Sequence, residues 1–218
     1  MLKYTVMKTI LIVLGVLLIS GILFFLIGVV SPGLTNETVV KINSPLKYTW
    51  DLYHDDEVLK EWVPGLQEIK LISGQTAEVG SKYILTMKDE KGKITTMDET
   101  ITAFDQNEKY AMDYSNDMLD GHVDVLFEGK GDSTIIKSIN SYKGKTTLLR
   151  SMLHFFNGKI LSETDKQYEN FKLIAEERYL KIKDNQARII DAKVATPNDT
   201  LSIDTLSKKK LVEYESEN

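Results

Sequence analysis

Three histidines, at positions 54, 122 and 154, are the side chains best suited to proton transfer or metal ligation near neutral pH. No two of them stand at a metal-ligand spacing. His122 and Asp124 are two residues apart in a stretch of alternating character, so they share one face of a strand. Such a pair can serve as acid and base or hold a metal. The opposite face carries Val123, Val125 and Phe127, the better inward set, which turns His122 and Asp124 toward solvent. His154 falls between Leu153 and Phe155 and reads as a surface or boundary residue of a helix. Acidic residues cluster at Asp98-Glu99 and at Asp113, Asp117, Asp120 and Asp124. Calcium needs several oxygen ligands converging in one loop, and these aspartates lack EF-hand spacing. Asn116 and Asp117 suit a turn instead. Gly129-Lys130-Gly131-Asp132 has no Walker pattern and opens no helix, so it reads as a hairpin turn. Asn36-Glu37-Thr38 and Asn198-Asp199-Thr200 match the N-glycosylation triplet, which is common by chance. The chain has no cysteine, which excludes disulfides, thiolate metal sites and cysteine nucleophiles. By strand parity no acid/base pair faces inward. The residues thus favour binding over catalysis, with no metal and no cofactor.

The positioning elements begin with an uncharged run. Residues 9–30, TILIVLGVLLISGILFFLIGVV, are apolar on every face and long enough to cross a bilayer, where about 20 apolar residues suffice. A signal peptide would have a shorter apolar region ending in a small-x-small site, and Gly28-Val29-Val30-Ser31 is a poor one. An uncleaved anchor is therefore expected. Lys3 and Lys8 precede the run and no Lys or Arg follows until Lys41, which keeps the N-terminus cytoplasmic and places the remaining chain outside. The partition is a cytoplasmic N-terminus at 1–8, a transmembrane helix at 9–30, a linker at 31–35, one domain at 36–182 and a polar, disordered tail at 183–218. A net charge of −5 and the lack of a basic block argue against a nucleic-acid partner. The expected partners are the bilayer, through residues 9–30, and a hydrophobic small molecule or lipid; no protein partner is indicated.

Within the domain, NETVVKIN at 36–43 alternates as a strand. Ser44-Pro45 fits a helix start, with serine as cap and proline at the first helical position. Short helices follow at 45–53 and 55–62, their apolar faces carrying Trp50, Tyr53, Val58, Leu59 and Trp62. The period then changes to two, with strands at 66–73, 81–88, 93–104, 109–116, 121–128 and 133–142 separated by Gly, Asp and Asn turns. A long helix from Thr146 to Ile182 closes the domain, with apolar stripes Leu149, Leu153, Phe156, Ile160 and then Tyr168, Phe171, Ile174, Ala175. About 30 helical residues span roughly 45 Å, which calls for a large partner surface. Strands followed by a segregated helix give an α+β fold, a curved antiparallel sheet of about seven strands around a long C-terminal helix.

This order resembles the helix-grip fold of the SRPBCC superfamily, which includes StAR-related lipid-transfer domains, polyketide cyclase-like proteins and birch-pollen-allergen-like proteins. The resemblance rests on VVKINSPLKYTWDLYHD at 39–55, on Trp62-Val63-Pro64 followed by Ile72-Ser73-Gly74 and Val79-Gly80, and on Phe171-Lys172 with Glu176-Glu177 in the closing helix. It is strongest to the polyketide cyclase-like branch. It implies a cavity between the concave face of the sheet and the long helix. Strand parity assigns Tyr83, Leu85, Met87, Tyr110, Met112, Tyr114, Val123, Val125 and Phe127 to the cavity's sheet wall. Leu149, Met152, Leu153 and Phe156 would face them from the helix, and Trp62 stands where a family lid would close. Added bulk at Val125 would then block a guest at little cost in stability. The leading expectation is a membrane-anchored protein that binds a hydrophobic or amphipathic guest. The alternatives are a cyclase/dehydratase-like enzyme, and a scaffold whose core is filled by its own side chains.

Overall fold

A computed structural model of the chain describes residues 2–195. It contains helix α1 (Leu2–Val30), strand β1 (Leu34–Ile42), helices α2 (Leu46–Tyr53) and α3 (Asp56–Trp62), strands β2 (Leu66–Ser73), β3 (Lys82–Lys88), β4 (Ile94–Asp105), β5 (Lys109–Ser115), β6 (Leu119–Lys130) and β7 (Ser133–Gly144), and helix α4 (Thr147–Ala195). The strands form one antiparallel sheet in the order β1-β7-β6-β5-β4-β3-β2. Short turns make neighbours of β2 through β7, as expected for hairpin connections. β1 instead reaches the far edge and pairs with β7, Val40 opposite Ile136, because α2 and α3 carry the chain across the sheet between β1 and β2. Register shifts between Leu66 and Glu68, between Leu71 and Ser73, and between Ile101 and Ala103 break the ladders locally. Such bulges bend and twist a strand. The curved α+β helix-grip architecture expected from the sequence is therefore the observed one.

The concave face is divided between packed core and open space. Trp50 and Tyr53 of α2 lie over the interior strand β6, with ring centroids 4.9 and 5.2 Å from Phe127. Trp62 of α3 and Phe171 of α4 complete the cluster, each 5.3 Å from a neighbouring ring in it. Val58, Val125, Ile136 and Phe171 are fully enclosed. Three hydroxyls fix the start of α2. Ser44 Oγ lies 2.7 Å from Thr49 Oγ1, Thr49 donates to Thr134 at 3.1 Å, and Thr134 donates to the Ser44 carbonyl at 2.8 Å. Ser44 thus serves a buried hydroxyl cluster and does not cap α2; Pro45 holds the cap position without a side-chain bond. Asp55 does cap α3, its Oδ1 accepting from Glu57 N at 2.9 Å and Val58 N at 3.3 Å.

α4 is held against β1 at two points. Thr38 donates to Asp165 at 2.7 Å, and the Glu176 carboxylate accepts from Asn43 N at 2.8 Å. The latter gives the Glu176-Glu177 resemblance a physical role. α4 runs 13 residues past its expected end, to Ala195, so the first part of the stretch expected to be disordered is helical. Its charged residues extend the helix where apolar periodicity gave no signal. A compact unit spans Met1–Glu177, and a second begins at Arg178, where the Lys183 ammonium sits 5.3 Å from the Tyr179 ring centroid. Positions 196–218, which include the second glycosylation triplet, lie outside the described residues. Within α1, the 25 residues Val6–Val30 are long and apolar enough to cross a membrane by length and composition. The expected linker is shorter than 31–35, since β1 already begins at Leu34.

Candidate ligand-binding cavity

Between α3, α4 and the sheet, from β2 across to β7, lies a cavity of about 750 Å³. That is the size of a small-molecule site. Its sheet wall is built by inward positions of successive strands: Ile69, Tyr83, Leu85, Met87, Met97, Ile101, Tyr110, Met112, Tyr114 and Val123. α3 contributes Leu59 and Trp62, and α4 contributes Phe156, Ile160, Thr164 and Tyr168. Tyr114 can lie across β6 because position 121 is glycine; a Cβ there would run into its ring.

The structure brings together Trp62, Tyr83, Leu85, Met87, Tyr110, Met112, Tyr114, Val123 and Phe156 of the residues expected at a cavity. It does not bring Val125, Phe127, Leu149, Met152 and Leu153 there. Val125 and Phe127 share the right face of β6 but lie further along it, beneath the rings of α2, in filled core. Added bulk at Val125 therefore meets packed atoms. Leu149, Met152 and Leu153 belong to the first two turns of α4, before the helix enters the grip of the sheet. Trp62 is buried among Tyr53, Tyr168 and Phe171 and forms part of the cavity floor, not a lid.

The cavity also holds polar groups that strand parity had not assigned to it. Glu99, only 8% exposed, lines it and accepts a hydrogen bond from Tyr110 at 2.8 Å. Burial pushes the Glu99 carboxyl above its ordinary value, against the opposing pull of the Tyr110 bond. Its position was legible, because Glu99 shares parity with Met97 and Ile101, but the Asp98-Glu99 pair draws attention as a charge cluster. His54 stands at the C-terminal end of α2, outside any period, and packs edge-on against Tyr110 at 5.0 Å. Its Nδ1 lies 2.8 Å from the Trp50 carbonyl. A carbonyl can only accept, so Nδ1 carries the proton and Nε2 of the neutral ring is an acceptor. Burial lowers the His54 pKa, which keeps the ring neutral. Nε2 of His54 and Nε1 of Trp62 are buried without a protein partner among the described residues. Tyr53 and Tyr168 bring their hydroxyls within 3.3 Å of each other, and burial pushes both phenols up.

The remaining chemistry-bearing residues lie elsewhere. His122 is on the outer face, where Nδ1 meets Asp113 at 2.7 Å and Nε2 meets Asp124 at 3.1 Å. These carboxylates raise its pKa, the Asp113 bond most. His154 is exposed on α4. Asn36 is buried within β1, which counts against its modification in the folded chain. Among the described residues no cluster of metal-ligating side chains converges.

No protein-family model and no curated protein matches the sequence. Solved structures do match. Ara h 8.0201 is 17% identical, with a TM-score of 0.53 over 65% of this chain and 97% of that one. The Zhui aromatase/cyclase from Streptomyces sp. R1128 is 12% identical, with a TM-score of 0.55 over 67% and 95%. SA2116 from Staphylococcus aureus, a protein of unknown function, is 11% identical, with a TM-score of 0.54 over 68% and 98%. At these identities the likeness is one of fold. With its seven-stranded sheet closed on a long C-terminal helix, the chain has the helix-grip fold that these structures share.

Proposed function

We propose that this protein is a membrane-anchored binding protein that holds a hydrophobic or amphipathic small molecule or lipid in the helix-grip cavity. The observation that carries this reading is the cavity of about 750 Å³ with largely apolar walls, into which Tyr110 and the buried Glu99 also face. A core filled by its own side chains leaves few voids larger than a water molecule, so the scaffold alternative is the weaker one. The polar groups that line the walls, the Tyr110 hydroxyl and the Glu99 carboxyl among them, suit the polar end of an amphipathic guest. Anchoring rests on the uncharged run 9–30 of α1, and Lys3 and Lys8 before that run support a cytoplasmic N-terminus with the domain outside. A fluorescent fatty-acid probe titrated into the wild type and into Leu85→Trp tests the reading. Leu85 lines the cavity at mid-strand on β3. The wild type should bind saturably and the variant, still folded, should not. Equal binding by both contradicts the site.

One observation favours a second reading, a cyclase/dehydratase-like enzyme. The buried Glu99–Tyr110 pair and the neutral His54 place an acid and a base in one apolar chamber. Shifted carboxyl and imidazole groups of this kind are suited to proton transfer. The Zhui protein, an aromatase/cyclase, shares the fold. Conversion of a hydroxylated polyketone by the wild type but not by His54→Ala or Glu99→Gln would establish this reading over simple binding.

A further inference from the structure

We infer that the first turns of α4 form, together with α1, one bilayer-facing surface, and that the cavity mouth opens beside it so that guests exchange directly with the membrane. This rests on the anchor reading of α1. The two helices cross closely. Ser151 Oγ donates to the Phe24 carbonyl at 2.6 Å, and the rings of Phe24 and Phe155 lie 5.2 Å apart. Gly28 permits the crossing, because a Cβ there would run into the Thr147 carbonyl and Ser151 Oγ. The midpoint of Val6–Val30 is residue 18, and Phe24 lies six residues beyond it. At 1.5 Å per residue that is about 9 Å from the bilayer centre, against a hydrocarbon half-thickness of about 15 Å. Phe155, whose ring is tilted against that of Phe24, lies near its depth, roughly 6 Å inside the boundary; interfacial helices bury their apolar faces by about 5–10 Å.

The side chains of α4 agree with this depth. Leu148, Met152, Phe155 and Phe156 are 55%, 40%, 64% and 53% exposed and recur at helical spacing as one stripe. The stripe ends at the cavity, since Phe156 is also a cavity residue. An apolar stripe continuous with a membrane helix at one end and an apolar cavity at the other is a path for a lipid-like guest. The occupant of the stripe is therefore the bilayer.

The absence of cysteine permits a direct test. The full-length chain, carrying one nitroxide-labelled cysteine at Val13→Cys, Leu148→Cys, Met152→Cys, Phe155→Cys or Asp132→Cys, is placed in phospholipid nanodiscs. Collision with oxygen and with a water-soluble nickel chelate is then compared by electron spin resonance. Labels at 13, 148, 152 and 155 should favour oxygen, and the label in the β6–β7 turn at 132 should favour nickel. Nickel-accessible labels at 148, 152 and 155, with 13 in lipid, overturn the inference and leave the anchor standing. A nickel-accessible label at 13 overturns both. Dipolar broadening between labels at 155 on two copies shows a second chain on the stripe and also overturns it. The probe titration on Leu85→Trp is read independently, so a failure here is distinct from a failure of the binding site.

Discussion

Glu99 and His54 carry the most consequence for their size. Glu99 has its carboxyl raised by burial, so the folded state holds its proton to higher pH than the unfolded chain. Its stabilising contribution is fully present below the ordinary carboxyl value and is lost as pH rises through the folded value. Glu99→Gln keeps an acceptor for Tyr110 and removes the titration. The melting temperature of this variant relative to wild type should therefore rise as pH rises above the ordinary carboxyl value of about 4.3, as followed by circular dichroism. A constant difference across that range would show that the carboxyl is not buried in solution. His54 has the opposite sign. Its lowered pKa gives stability above the ordinary imidazole value that is lost as pH falls below it. His122, with its pKa raised by Asp113 and Asp124, contributes in the acid range and loses that contribution as pH rises through its folded value. It is outward and partly exposed, so His122→Ala should cost no more than about 0.5 kcal/mol in a denaturant titration and leave probe binding unchanged. Val125→Trp, by contrast, overpacks filled core and should destabilise by about 1–3 kcal/mol in the same titration. A Val125→Trp variant that is fully stable but blocks the probe would place the cavity further along β6 than described.

At the scale of elements, every strand and helix of the domain was legible in the residues, because period two and period 3.6 survive wherever one face is buried. Boundaries were sharpest at β2, Leu66–Ser73, which Gly65 and Gly74 bracket, whereas Gly129 and Lys130, expected in the turn, belong to β6. What the periods do not carry is position along a face. Val123 and Phe127 have the same parity, yet one lines the cavity and the other packs under Trp50, because α2 covers only part of the sheet. His54 was missed because a residue at a helix end belongs to no stripe. Glu99 was hidden by its charged neighbour Asp98, although its parity with Met97 and Ile101 marks it as inward. α4 outlasts its apolar stripe because nothing on a polar surface needs to stop a helix. Its grip on the domain ends near Ala175, the last buried residue of the helix. Phe171→Ala, which empties a fully enclosed site, should cost about 3–5 kcal/mol by denaturant unfolding. Deletion of Asp184 to Asn218 should shift the melting temperature by only a few degrees, as expected for less than about 1 kcal/mol. Unfolding on that deletion would show that the tail is part of the fold.

For the whole molecule, the account joins an apolar N-terminal helix to a cavity suited to apolar guests. The proposed orientation rests on Lys3 and Lys8 alone, and it predicts that a reporter fused after Asn218 behaves as exported in intact cells. A reporter active in the cytoplasm would reverse the topology while leaving the cavity untouched. An anchored domain does not need to find its guest by diffusion through water, which makes tethering and apolar binding mutually useful. The central claim remains occupancy. Native mass spectrometry of the full-length protein, released from membranes in mild detergent, tests it most directly, with Leu85→Trp measured alongside. The account predicts a bound lipid-like species of defined mass on the wild type that is absent from the folded variant. A wild type that carries no guest, or a guest retained equally by Leu85→Trp, would contradict it.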